Sequence, residues 1–234
     1  MANERSFGGS GRVDLRADRI SLARNVAASG DAYAGGSPGA PPGSKEEAIV
    51  GAAIELLGER GFHGAGLRQI ATRAGVSLAN VYTYFPSKAD LLLAILKRAC
   101  ADLLVQVQDS VRGAGSGADE RFVAAASAYV RFCATRSTEM FIADSEVRYL
   151  DPERREELLV HRDAIQDVFE RIVADGVRGG RFATPYPDQA CLAVLTMCSG
   201  VAQWYRPDGP LTADALAERF AHYALALVEE GPAR

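Results

Sequence analysis

The sequence predicts an all-α protein in which an N-terminal three-helix helix-turn-helix domain precedes a larger helical bundle, with about nine helices in total. Three observations carry this. Apolar residues recur at i, i+3, i+4 and i+7 through most of the chain, and no alternating strand pattern is present. The stretch LRQIATRAGVSLANVYTYFPSKADLLL, residues 67–93, reads as a short helix, a glycine turn, a second short helix and the start of a third. Glycine, proline and Ser/Thr/Asp capping signals then divide the remainder into long helices joined by short loops.

With 234 residues, 48% of them hydrophobic, the chain can bury a substantial core. Its net charge of -4 excludes a protein coated in basic charge for nonspecific nucleic-acid binding. Local balance differs: residues 45–98 carry seven Lys/Arg against five Asp/Glu, which permits a DNA contact. Cys100, Cys133, Cys191 and Cys198 are dispersed on apolar stretches without a C-x-x-C pair, so they read as buried free thiols and no metal site or cofactor is expected. There is no apolar run of membrane-spanning length and no signal-peptide core, which points to a cytoplasmic protein without a membrane partner.

Three segments follow from the composition. Residues 1–43, rich in Gly, Ala, Ser and Pro, form a disordered or weakly helical extension, whose Arg12, Arg16, Arg19 and Arg24 suit either a solvated tail or a flexible arm on DNA phosphates. Residues 44–92 are expected to form the helix-turn-helix domain and residues 93–234 a second domain, to which ligand binding and dimerisation are assigned on the grounds given below.

Order begins at Ser44, where Glu47 completes a capping box. Ile49, Ala52, Ala53, Leu56 and Leu57 give the first helix one apolar face, Gly61 closes it, and Phe62 is expected beneath the helix-turn-helix. His63 stands alone in a turn and reads as a surface residue. The second helix runs from Leu67 to about Ala74, with Gly75 at the left-handed ending position. Ser77 caps the third, in which Val81 and Phe85 face inward while Asn80, Thr83 and Tyr84 turn outward; Pro86 stops it. A two-turn helix of this kind suits a major groove.

Ser87 and Asp90 open a fourth helix that keeps its apolar stripe to about Val111, long enough to act as a lever between the two domains. Lys88 sits in its first turn, an unfavourable place for a cation beside the helix dipole, and a phosphate contact would account for it. Residues 119–136 follow, with Phe122, Ala126, Tyr129, Val130 and Cys133 inward, then residues 137–150. Asp151-Pro152 starts a helix reaching about Val177, whose apolar stripe includes Arg162. A surface pair with Glu146 or Asp163 is one reading of that arginine. Two more helices occupy residues 188–205 and 213–230.

Residues 45–96 resemble the N-terminal domain of TetR-family transcriptional regulators. The likeness rests on a first helix ending in Gly-Phe, the IATRAGVS turn, a Val-Tyr-Thr-Tyr-Phe recognition helix, and Ser-Lys-Ala-Asp-Leu-Leu opening the fourth helix. The resemblance implies DNA contacts at Ser77, Asn80, Tyr82, Tyr84 and Lys88. With the neighbouring surface, the candidate DNA-binding set is Arg68, Ser77, Leu78, Ala79, Asn80, Tyr82, Thr83, Tyr84 and Lys88. One departure stands out: the family's usual threonine pair before the second helix is Ala65-Gly66 here, removing a hydroxyl for a phosphate.

A single reader of this size works as a homodimer on a palindromic operator. The expected dimer contact lies on the last two long helices, through Ala193, Val194, Met197, Val201, Leu216, Phe220, Ala224 and Leu227. Candidate ligand-binding residues are Phe122, Tyr129, Phe141, Arg148, Tyr149, Arg162, Phe169 and Trp204, aromatics with two arginines, the mix that an apolar pocket with a few polar groups requires. SEVRYLDPERREELLVHRDAIQDVFERIVADGVRGGRF, followed by VAQWYRPDGPL, resembles TetR-family regulators of fatty-acid or steroid catabolism that sense acyl-CoA thioesters. That implies a small hydrophobic effector, an acyl-CoA, with Arg148 or Arg162 on its phosphate or carboxylate oxygens.

The expected function is a repressor released from double-stranded operator DNA by this effector. An activator with the same fold would differ only in operator position. The alternative class is an all-α ligand-binding protein or an enzyme without DNA binding. Against catalysis, His63, His161 and His222 are far apart in sequence and no nucleophile motif is present, so no catalytic residue is assigned.

Overall fold

The computed structural model describes residues 43–229; the arginines of the N-terminal extension lie outside them. All regular structure among the described residues is helical: α1 Lys45–Gly64, α2 Leu67–Arg73, α3 Leu78–Tyr84, α4 Lys88–Gly113, α5 Ala118–Thr135, α6 Ser137–Ser145, a 3-10 turn Val147–Tyr149, α7 Pro152–Arg178, α8 Pro187–Ser199, α9 Val201–Trp204 and α10 Ala213–Glu229.

Capping explains most boundaries. Ser44, Ser77, Ser87 and Asp151 each accept from the backbone N–H three residues on, at 3.2, 3.2, 3.1 and 2.9 Å. These bonds satisfy donors that a helix start otherwise leaves open. Ser87 also donates to the Asp90 carboxylate at 2.7 Å. At Gly66, which has no side chain, Gln69 reaches back to accept the Gly66 N–H at 3.0 Å.

Four expectations need correction. α1 does turn at Gly61, where φ is 65° and ψ 178°, but a further helical turn follows to Gly64. The helix expected over residues 137–150 breaks at Glu146 into α6 and the 3-10 turn, and the one expected over residues 188–205 divides at Gly200. Phe62 is shared between the domains: its ring lies on Tyr149 of the larger domain, centroids 5.0 Å apart and planes at 11°.

α2 and α3 pack against α1 and bury Ile70, Ala71 and Val81, with Phe85 closing the small core. α4 leaves this domain and buries Leu103, Leu104 and Val107 in the bundle. Its 26 residues span about 39 Å. Around it, α5 is the most enclosed helix, packing on α4, α7, α8 and α10. Ion pairs tie α4 to α7: Arg154 holds Asp90, at the helix-turn-helix end of α4, at 2.6 Å, and Lys97 pairs with Glu157. Ser87 and Arg154 outweigh burial in holding the Asp90 carboxyl below its ordinary value.

The anticipated dimer stripe is half core. Val194, Val201, Leu216 and Ala224 are buried inside the chain, because α8, α9 and α10 turn those positions toward α5 and one another. The large apolar side chains left exposed on these helices are Leu192, Trp204, Tyr223 and Leu227.

The two domains also meet where α1 crosses α6. A Cβ added at Gly58 would lie 2.6 Å from Cγ2 of Thr138. Gly58→Ala is therefore expected to cost about 1–3 kcal/mol of stability by overpacking. Thr138→Ser, which removes that methyl, should recover most of the loss in a denaturant-melt double-mutant cycle.

Candidate DNA-reading face and effector site

α3 is held from both ends and from beneath. Ser77 fixes its first turn, the Phe85 N–H bonds to the Val81 carbonyl at 2.8 Å, and Val81 and Phe85 are buried. What faces outward is aromatic and polar: Tyr82 is 51% exposed and Tyr84 42%, beside exposed Ala79 and Thr83 and half-buried Leu78 and Asn80. The Thr83 hydroxyl donates to the Ala79 carbonyl at 3.0 Å, while Ser77 combines its cap with an exposed position. Arg68, exposed on α2, makes no ion pair among the described residues. Arg73 is committed instead, to Glu55 at 2.7 Å and Glu59 at 3.6 Å.

Lys88 is placed differently from the other candidates. Its ammonium donates to the Phe62 carbonyl and lies 4.3 Å from the centre of the Phe62 ring. Burial lowers its pKa below the ordinary lysine value, opposed by the charge of Glu146. The first turn of α4 thus tolerates a cation because the cation is spent on the α1 turn.

The eight candidate effector residues separate into two groups. Phe122, Tyr129, Phe169 and Arg162 come together inside the large domain. Phe169 stands edge-on to Phe122 at 5.9 Å and to Tyr129 at 6.2 Å. Arg162 donates to the Ala143 carbonyl at 2.7 Å, near the C-terminal end of α6, where a helix offers unpaired carbonyls. That partner replaces the Glu146 pairing considered from sequence.

Around Arg162 the chemistry is polar and poorly hydrated. Burial raises the Asp144 carboxyl above its usual range, offset by the Arg162 charge and a hydrogen bond from Gln203. Burial also pushes the Cys100 thiol up to about 11 despite Arg162. The Tyr129 hydroxyl is driven well above its ordinary value, first by burial and then by the neighbouring thiols. All four cysteines are buried and free, so their thiolates are suppressed.

The other four residues lie elsewhere. Phe141, 42% exposed, lines a cleft of about 570 Å³ between α1, α6 and α9, together with Ile54, Gly58, Gln203 and Arg206. Arg148 is exposed over the Tyr149 ring, 5.1 Å from its centre, and Tyr149 stacks on Phe62 at the domain boundary. Trp204 is 51% exposed beside Phe220. These four were expected to line the pocket by residue type; Arg148, Tyr149 and Trp204 lie beyond the breaks at Glu146 and Gly200, while Phe141 sits on the outer side of α6.

Two important residues went unassigned. Gln203 belongs to the wall of the cleft and also bonds to Asp144, so it connects that opening to Arg162. Glu146, only 5% exposed, accepts the Phe62 N–H at 2.8 Å and the Ser145 hydroxyl at 3.0 Å. A single glutamate between Ser145 and Val147 carries no sequence signal for burial.

Comparison with known proteins places both halves. The family model described as bacterial regulatory proteins, tetR family, matches residues 49–95, and the tetracyclin repressor-like C-terminal domain matches residues 115–228. The HTH-type transcriptional repressor KstR2 of Rhodococcus jostii is 26% identical, over 76% of this chain and 87% of its own. The HTH-type transcriptional activator FasR of Mycolicibacterium smegmatis is 27% identical, over 79% of this chain and 83% of its own. The crystal structure of AibR in complex with isovaleryl coenzyme A and operator DNA shares the fold with a TM-score of 0.68 at 24% identity, over 80% of this chain and 98% of that one.

The raised Asp144 carboxyl gives a test with a defined sign. A carboxyl whose folded pKa exceeds its unfolded one favours folding when protonated, and that contribution is lost as pH rises through the folded value. Asp144→Asn lacks this loss. Its stability relative to the parent chain should therefore improve between about pH 4 and about pH 7 in parallel thermal melts.

Proposed function

The chain belongs to the TetR family of bacterial transcriptional regulators, and from that membership we propose that it is a cytoplasmic repressor: a homodimer on a palindromic operator, released by an acyl-CoA thioester. The observation that carries this reading is the α3 face, where Asn80, Tyr82, Thr83 and Tyr84 point away from a buried Val81–Phe85 ridge while Arg68 is exposed on the adjoining α2. Neutral hydrogen-bonding and aromatic groups on a capped helix suit base edges and sugars, and the arginine suits a phosphate.

Dimerisation is supported by the exposed Leu192, Trp204, Tyr223 and Leu227 on α8, α9 and α10. Two such faces packed together would remove the aromatic surface from water and set two copies of α3 at groove spacing. Among the described residues no helix is long and apolar enough to cross a membrane, and no group of three or more His, Cys, Asp and Glu is placed to hold a metal ion.

For the effector, the cleft between α1 and α6 offers an opening that Gln203 links to Asp144 and Arg162, with the Phe122, Tyr129 and Phe169 cluster in the same domain. A guanidinium next to an apolar interior matches a ligand that joins an anionic or carbonyl head to an acyl tail. AibR, with the same fold, binds isovaleryl coenzyme A. The activator reading has one observation behind it, the activator FasR among the relatives. The fold serves both signs, and operator position relative to the promoter decides between them.

Duplexes selected by the purified full-length chain from a random library test the DNA reading. Asn80→Ala should cost about 1–3 kcal/mol on the selected duplex and far less on unrelated DNA. Arg68→Ala should weaken both and reduce the salt slope by about one unit. If no sequence is enriched over the input library, the DNA-binding reading fails.

Isovaleryl-CoA and stearoyl-CoA test the effector reading by calorimetry and by competition with the bound duplex. Release by either compound should correspond to a coupling of about 1–3 kcal/mol. Binding by neither, or binding without any change in duplex affinity, overturns the thioester assignment.

A further inference from the structure

One short segment touches both the interior arginine and the DNA-reading domain. It is the end of α6, residues 143–146. On its inner side Arg162 of α7 donates to the Ala143 carbonyl at 2.7 Å, with Asp144 balancing the guanidinium charge. Three residues after Ala143, the Glu146 carboxylate accepts the Phe62 N–H at 2.8 Å and is steadied by the Ser145 hydroxyl at 3.0 Å.

Phe62 follows Gly61, whose φ of 65° swings the chain out of the first part of α1. An amide at such a corner has no helical carbonyl to bond, so Glu146 is its acceptor. The Phe62 ring is stacked on Tyr149, and its carbonyl and ring both hold Lys88, the first residue of α4 and four positions beyond Tyr84 of the reading helix.

Resting on the effector reading above, we propose that Arg162, Ala143, Glu146 and Phe62 form the relay by which the effector site controls the reading helix. In the free protein Arg162 clamps the end of α6, and that clamp keeps Glu146 on the Phe62 amide. An anionic oxygen arriving at Arg162 makes a stronger bond than the neutral Ala143 carbonyl and takes over the guanidinium. The α6 end then loses its donor, Glu146 shifts off Phe62, and Lys88 loses the turn to which it is bound. Glu146 and Phe62 act through their contact with each other and with Lys88; they are positioning residues. The contacts are discrete hydrogen bonds at helix ends, so the relay has a held state and a released one, as coupling between distant sites requires.

Backbone hydrogen exchange of the full chain reads the relay without DNA or ligand. Glu146→Ala removes the acceptor directly and should speed exchange at Phe62 by at least about tenfold, the scale of one charge-assisted hydrogen bond. Glu146→Gln, which keeps an acceptor oxygen, should fall between it and the parent chain. The decisive variant is Arg162→Ala, which touches no atom of Phe62 and should nevertheless accelerate the same amide while those of α2 and α3 keep their rates.

Unchanged Phe62 exchange in Arg162→Ala overturns the relay, and so does a uniform acceleration across the chain, which would mean general loosening. If isovaleryl-CoA or stearoyl-CoA binds, it should reproduce the Arg162→Ala pattern in the parent chain, and Glu146→Ala, which already lacks the Phe62 contact, should bind DNA more weakly than the parent chain and lose no further affinity when the compound is added. Binding by neither compound sinks the thioester reading alone, because the variant exchange patterns still decide the relay.

Discussion

A buried carboxylate on a backbone amide is the constraint on which the arrangement of the two domains depends. Gly61 turns α1 through a left-handed corner, and the next N–H must find an acceptor that no helix supplies. Glu146 provides it from the other domain, at 5% exposure. Removing only one partner would leave either an open amide or an unpaired charge in a poorly hydrated place, which costs more than the bond contributes when made. The break after Glu146 serves the same junction, since a helix continuing past residue 146 would carry Tyr149 away from Phe62.

The junction explains the charge at the start of α4. A lysine in a first turn opposes the helix dipole, and here the Phe62 carbonyl and ring compensate it. The Asp90–Arg154 and Lys97–Glu157 pairs add further ties along the same helix. Exposed ion pairs of this sort contribute little individually. Their consequence is directional: they register α4 against α7.

An acidic protein can still read DNA because charge acts locally. Arg73 is neutralised by Glu55 and Glu59, whereas Arg68 is exposed beside α3 without an ion pair among the described residues. The rest of the reading face is neutral. Such a surface gains specificity from hydrogen bonds and shape, and less from bulk attraction to phosphate. The interior shows the complementary arrangement, in which one guanidinium with Asp144 and Gln203 sits in a domain otherwise packed with aromatics and suppressed thiols.

The sequence by itself determined whatever depends on neighbours within one or two helical turns. Ser44, Ser77, Ser87 and Asp151 announced their caps, Gly75 its left-handed turn with φ of 67°, and the stripes of α1, α4 and α5 their buried faces. The outward side of α3 was legible for the same reason. Only tertiary structure decided what Phe62, Lys88, Glu146, Tyr149 and Trp204 do. Each sits at a helix end or break, where periodicity ceases to fix direction and the partner lies tens of residues away. Glu146 and Phe62 are 84 residues apart in the chain, and no local pattern relates a carboxylate to an amide at that separation.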